Sequence, residues 1–120
     1  MKVWGKEIRC DGRGDKDKCN SEDNLRKFII DLVERVNMKR YGEPQILLFG
    51  EGELYGYTVI QPIHTSCITL HTTLSGEFYL NLFSCKDFDA EVVEACVEEY
   101  LSGTIDYVDC DERGVADYKL

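Results

Sequence analysis

The stretch IHTSCITLHT at residues 63–72 decides how the middle of this chain folds. From Ser66 onward, apolar and polar side chains alternate along it, which is the period-2 pattern of a half-buried β-strand. Pro62, just before the stretch, is typical of a break between two strands. His71 follows Ser66 by five positions. The stretch therefore predicts a strand over 66–72 that carries a serine at its start and a histidine near its end.

Hydrophobic patterns on both sides of this strand predict two long helices and further strands. Ser21 is a suitable N-cap for a first helix, whose apolar side chains recur every three or four residues and which is expected to run to Arg40. Asp87 or Asp89 is expected to cap a second helix that ends before Gly103. The remaining strands are expected at 1–8, 45–49, 57–61, 77–84 and 104–109, with a flexible turn at 11–15.

This order of elements predicts an α+β fold of two layers. Both helices are expected to pack on one face of an antiparallel sheet, which is the usual way for such elements to bury their apolar surfaces. The chain of 120 residues is expected to form a single domain over 1–120. Domains of this size are large enough for a modest core and are often stabilised further by dimerisation.

Charge and hydropathy exclude several classes of function. Fourteen basic residues against twenty-three acidic ones give a net charge of −9. Such a chain is expected to bind neither nucleic acid nor anionic lipid, and its field favours small cationic ligands. No apolar run approaches the roughly 20 residues that a membrane span requires. Neither a span nor a signal peptide is visible, so we expect a cytoplasmic protein with no membrane partner.

Six cysteines raise the question of disulfides or a metal site. They contain no Cys-x-x-Cys pair, and thiols in a reducing cytosol stay free. We expect Cys96 and Cys110 to be packing residues and no metal to be bound. Cys10 and Cys19 bracket a segment rich in glycine and charge, where a redox or metal clip is the alternative to packing.

Several segments resemble a known enzyme family in both residue type and order. Thr65-Ser66-Cys67, followed by His71-Thr72, is similar to the Glu-Ser-His-x-x-x-His-Thr motif of the short prokaryotic S-adenosylmethionine decarboxylase proenzymes. Phe83-Ser84-Cys85 at the end of a strand and Glu112-Arg113-Gly114 near the end of the chain add to the resemblance. The chain is thus identified as a divergent member of that family, whose α+β fold agrees with the element order above.

The resemblance implies self-cleavage between Thr65 and Ser66. The serine would become a pyruvoyl group, the cofactor whose ketone forms a Schiff base with the substrate amine. His71 corresponds to the family histidine that acts as an acid or base in processing, and Cys85 to the cysteine that returns a proton to the substrate carbon. Thr58 falls where the family has a serine whose hydroxyl stabilises the cleavage intermediate, a task that a threonine hydroxyl can also perform.

The implied function is a pyruvoyl-dependent decarboxylase of polyamine biosynthesis that acts as a cytoplasmic homodimer, with S-adenosylmethionine as the default substrate. Thr65 replaces the motif glutamate and Cys67 the motif histidine. Residues 73–75 replace Trp-Pro-Glu, so the carboxylate that would bind the ribose hydroxyls is missing; Glu77 is a candidate substitute. These departures leave two alternatives open. One is a decarboxylase of a basic amino acid such as arginine or ornithine, and the other is an unprocessed, non-catalytic paralogue with a binding or regulatory role.

Overall fold

A six-stranded sheet organises the part of the chain that the computed structural model describes, residues 3–114. Its strands are β1 (Gly5–Arg13), β2 (Gln45–Phe49), β3 (Gly56–Ile63), β4 (Ser66–Thr72), β5 (Glu77–Ser84) and β6 (Thr104–Arg113). They lie in the order β2-β3-β4-β5-β1-β6, and each neighbouring pair is antiparallel. The first strand of the chain is therefore inserted between the fifth and the sixth.

Two long helices cover one face of this sheet. They are α2 (Glu22–Arg35) and α3 (Ala90–Leu101), and both begin at side-chain caps. The Ser21 hydroxyl accepts a hydrogen bond from the Asn24 N–H at 3.1 Å, and the Asp89 carboxylate accepts one from Glu91 at 2.9 Å. A short helix, α1 (Lys16–Cys19), precedes them, and a 3-10 turn occupies Gly52–Leu54. The predicted α+β two-layer arrangement is confirmed.

The core lies between the helices and alternate residues of the sheet. The helices contribute buried side chains such as Phe28, Leu32, Val93 and Val97 to this core. The sheet contributes Ile68, Leu70, Phe78, Leu80 and Leu82. The opposite face of the sheet carries no helix in the described chain. Its exposed side chains include Leu47, Phe49, Tyr79 and Tyr107. We call this second face the uncovered face.

Several sequence expectations about element limits are wrong. The first helix stops at Arg35 rather than Arg40, because Asn37 adopts a left-handed φ of 58° that no helix can continue through. Segment 11–15 is not a flexible turn, since β1 continues through Gly12 to Arg13. A Cβ on Gly12 would lie 2.3 Å from the Thr104 carbonyl oxygen, so this glycine permits close approach of two strands. The last strand likewise extends beyond residue 109, to Arg113, and β3 is longer than the predicted 57–61. The first strand begins at Gly5 rather than at residue 1; residues 1 and 2 lie outside the described chain.

The cysteines are all free thiols, and three of them are fully buried. Burial raises the pKa of Cys10 and of Cys96 to about 12, and that of Cys19 to about 11. They are therefore neutral at physiological pH and act as small apolar side chains. Cys10 lies within β1 instead of at the edge of a loop. Within residues 3–114, no helix has the length and hydropathy to cross a bilayer.

Candidate active site

The turn between β3 and β4 carries the predicted cleavage site. Ile63 and Ser66 are the last register partners of this hairpin, so His64 and Thr65 form its tip. Ser66 is half-buried and has a φ of 149°, a value that residues other than glycine rarely adopt. Such backbone conformations cost about 1–3 kcal/mol and concentrate at functional sites. The predicted cleavage site thus joins Thr65, at the tip of a tight hairpin, to a serine with a strained backbone.

Cys85 contacts the residue that precedes this serine through two hydrogen bonds. The Cys85 N–H donates to the Thr65 carbonyl oxygen at 3.3 Å, and the Thr65 hydroxyl donates to the Cys85 sulfur at 2.8 Å. The contact arises because β5, which ends at Ser84, pairs with β4 from Ser66 onward. The hydroxyl of Thr65, which stabilises a thiolate, lowers the pKa of Cys85 below its usual value. The sequence thus correctly predicted a cysteine at the end of β5. It did not predict the hydrogen bonds between this cysteine and Thr65.

We expect the change Thr65→Val to reduce the reactivity of Cys85. The change is made in a Ser66→Ala background, which would block the predicted cleavage; there valine preserves the shape of threonine but removes the hydroxyl donor. The pKa of Cys85 should therefore rise, and the rate of alkylation by iodoacetamide at pH 7–8 should fall severalfold, because only the thiolate reacts. Cys85 is the one exposed cysteine among the six, all of which lie in the described chain. The alkylation signal that is lost in the Cys85→Ser variant therefore belongs to Cys85. Thr69→Val is the matched control; an equal decrease there would contradict the assignment.

Thr58 and His71 form a second group on the uncovered face. They are direct register partners on β3 and β4, and the Thr58 hydroxyl lies 2.9 Å from Nδ1 of His71. The His71 ring is stacked near Tyr79, with ring centroids 6.5 Å apart. Both residues are half-buried and line an open cavity of about 610 Å³. The hydrogen bond fixes the orientation of an imidazole that can act as an acid or a base.

The four predicted site residues do not converge within one chain. Ser66 and His71 are five residue steps apart along β4, which corresponds to about 17 Å at 3.3–3.4 Å per residue. Cys85 lies at the Ser66 end, and Thr58 lies at the His71 end. The structure therefore brings together Thr65, Ser66 and Cys85 as one half-site. It brings together Thr58 and His71 as another.

Sequence reasoning missed the side chains around both half-sites. A cavity of about 460 Å³ beside Cys85 is lined by Trp4, Lys6, Asp87 and Glu112, among others. The Trp4 ring lies 5.4 Å from that of Phe83. The lining residues come from β1 and the residues before it, from β6 and from the segment after β5, so no local sequence pattern could reveal that they meet.

Glu77, the candidate substitute for the missing ribose carboxylate, lies at the opposite end of β4 from the cleavage site. Its carboxylate accepts hydrogen bonds from the hydroxyls of Thr73 at 3.1 Å and Ser75 at 3.4 Å. The side chain is therefore held by the residues of its own turn. It does not line the cavity that contains His71.

Comparisons with known proteins show the family and the fold of this chain. The family model for S-adenosylmethionine decarboxylase matches residues 8–117. A solved structure titled as the adenosylmethionine decarboxylase from Aquifex aeolicus superposes with a TM-score of 0.77 at 21% identity, over 100% of this chain and 98% of that one. A search of curated proteins returns no match. The chain has the fold of the Aquifex structure, and it belongs to the S-adenosylmethionine decarboxylase family.

Proposed function

We propose that this chain is a pyruvoyl-dependent decarboxylase that makes its own prosthetic group by cleavage between Thr65 and Ser66. The contact of the Cys85 N–H with the Thr65 carbonyl is the observation that carries this proposal. That carbonyl is the group that the Ser66 hydroxyl must attack. An N–H already aimed at its oxygen can stabilise the negative charge that develops there during attack.

The cleavage reaction can be written with residues of the chain alone. The Ser66 oxygen attacks the Thr65 carbonyl carbon, the bond from that carbon to the Ser66 nitrogen breaks, and an ester forms while the nitrogen gains a proton. Loss of the Ser66 α-proton then expels the Thr65 carboxylate by β-elimination. The dehydroalanine that remains gains a proton at its β-carbon and becomes an imine. Water hydrolyses this imine, ammonia leaves, and a pyruvoyl group begins the second fragment. A histidine that shuttles protons between these groups accelerates such steps.

The residues near Ser66 suit a pyruvoyl group. Once formed, such a group supplies a ketone that accepts the electron pair left behind by departing carbon dioxide. Cys85, with its exposed thiol beside Thr65, would deliver the proton that replaces carbon dioxide on the substrate carbon. The adjacent cavity of about 460 Å³ gives a substrate access to this end of the sheet.

The separation of the two half-sites supports a homodimer. His71 is about 17 Å from Ser66 along its own strand, too far for direct proton transfer. A second copy that packs on the uncovered face would place its own Thr58 and His71 against the Thr65–Ser66–Cys85 group of the first. The exposed side chains of Leu47, Phe49, Tyr79 and Tyr107 would be buried by this packing. Each active site would then combine residues of two protomers.

A small cationic amine is the proposed substrate, and polyamine biosynthesis in the cytoplasm is the proposed setting. S-adenosylmethionine is the default because of family membership. The absence of a carboxylate at residues 73–75 favours a second candidate, a basic amino acid such as arginine or ornithine.

Intact-mass spectrometry and a carbon dioxide assay test the proposal together. The purified chain is expected to appear as two fragments, 1–65 and 66–120, with the second lighter by one ammonia than the same fragment beginning with serine. The processed protein should release carbon dioxide from S-adenosylmethionine, arginine or ornithine. A chain that stays intact under native conditions, and releases no carbon dioxide, would instead be a non-catalytic paralogue.

A further inference from the structure

A row of side chains crosses the uncovered face at the level of His71. In register, Thr58 of β3 is opposite His71 of β4, His71 is opposite Tyr79 of β5, and Tyr79 is opposite Asp11 of β1. Asp11 is in turn opposite Tyr107 of β6. Directly opposed side chains on antiparallel strands have Cβ atoms about 4.5–5.5 Å apart. The Asp11 carboxylate is therefore flanked by two tyrosine rings.

Asp11 differs from the other acidic side chains on this face because it has no partner within residues 3–114. Arg9 forms ion pairs with Asp109 and Asp111. Glu7 accepts hydrogen bonds from the side chains of Asn81 and Arg113. No ion pair or side-chain hydrogen bond within the described chain reaches the Asp11 carboxylate, although the residue is half-buried.

We propose that Asp11, Tyr79 and Tyr107 form a subsite for the distal cation of an amino-acid substrate, an ammonium or guanidinium group. This inference rests on the proposed function and narrows its substrate to a basic amino acid. The carboxylate supplies the opposite charge, and the faces of the tyrosine rings attract cations. The three residues line the same cavity of about 610 Å³ as Thr58 and His71.

The dimensions of the row suit such a substrate. Asp11 and His71 lie two strands apart, which corresponds to about 10 Å across the sheet. This separation is comparable to the length of an extended ornithine or arginine molecule. The subsite would hold one end of the substrate while the reacting end approaches the half-site that the partner protomer contributes.

Closure of a dimer over this face would strengthen the requirement for a cation. An unpaired carboxylate that loses its water must find a positive partner or become protonated, because desolvation of a charge is costly. Arg9, the nearest basic side chain in the cavity, is already shared by two aspartates. A ligand cation would satisfy Asp11 without breaking those ion pairs.

Binding to the unprocessed protein tests this subsite independently of catalysis. Titration calorimetry on Ser66→Ala protein would use agmatine and putrescine as cationic probes and 5′-methylthioadenosine as a probe for recognition of ribose hydroxyls. We expect one of the cationic probes to bind, the adenosine compound not to bind, and the Asp11→Asn variant to lose at least tenfold in affinity. Tyr107→Leu, which keeps the carboxylate, should weaken binding severalfold.

A matched control and a folding check complete the experiment. Glu53→Gln removes one charge at an exposed site outside the cavity and should leave probe affinity unchanged, and unfolding midpoints should agree among the variants. Equal binding by Asp11→Asn, binding of the adenosine probe alone, or no binding of either cation would overturn the subsite. Failure of the wild-type chain to cleave, with Asp11-dependent binding intact, would overturn only the proposed enzyme activity.

Discussion

Ser66→Ala is expected to yield a single uncleaved chain with no measurable decarboxylase activity. Alanine has no hydroxyl to attack the Thr65 carbonyl, so neither the ester nor the pyruvoyl group can form. Loss of the group on which chemistry depends lowers turnover by far more than loss of a positioning residue, and we expect a decrease of at least about a thousandfold. Intact-mass spectrometry and carbon dioxide release measure the two effects separately.

The control for this change is a serine in the next hairpin turn, between β4 and β5. Ser75 is exposed there, and within residues 3–114 its hydroxyl contacts Thr73 and Glu77 alone. Ser75→Ala should be cleaved and should turn over substrate as the wild type does. Undiminished decarboxylation by Ser66→Ala would refute the proposed chemistry entirely.

Co-expression of two inactive variants is expected to restore activity if each active site combines two protomers. His71→Ala alone should be cleaved very slowly, because its dimers lack the proton-transferring imidazole in both sites. Paired with Ser66→Ala, however, it would form heterodimers in which its intact Ser66 faces the intact His71 of the other variant. We expect the His71→Ala chain to be cleaved in this mixture and decarboxylation to reach a substantial fraction of the wild-type level.

A second pair of variants provides the matched control. Ser66 and Cys85 belong to the same half-site, so heterodimers of Ser66→Ala with Cys85→Ala contain no site in which both residues are intact. Decarboxylation should therefore stay absent in that mixture. Restoration in both mixtures, or in neither, would contradict the division into the two half-sites described above.

Local patterns predicted most of the strands correctly. The limits of β2, β4 and β5 agree with the sequence expectation, because alternation and turn residues mark both ends of each. The errors occurred where a single backbone conformation, or pairing with a distant strand, determines where an element ends. Asn37 ends α2 through its left-handed φ. Gly12 is part of β1 because it pairs with Phe78 of β5 and Ile105 of β6.

The residues of the candidate site were proposed from the sequence, but their arrangement was not. The resemblance to the decarboxylase family points to Ser66, His71, Cys85 and Thr58 one by one. Only the strand register shows that these residues form two separate groups. Asp11 and Tyr107 gave no sequence signal at all. They meet only because β1 is inserted between β5 and β6, a pairing that joins residues almost a hundred positions apart.

The insertion of β1 between β5 and β6 has a consequence for the proposed cleavage after Thr65. A break after Thr65 leaves β1, β2 and β3 on one fragment, with β4, β5 and β6 on the other. The order of strands interleaves them, since β3 pairs with β4 and β1 pairs with two strands of the second fragment. The two fragments of the proposed cleavage would thus stay interlocked, and they could separate only if the hydrogen-bonded ladders between their strands were broken.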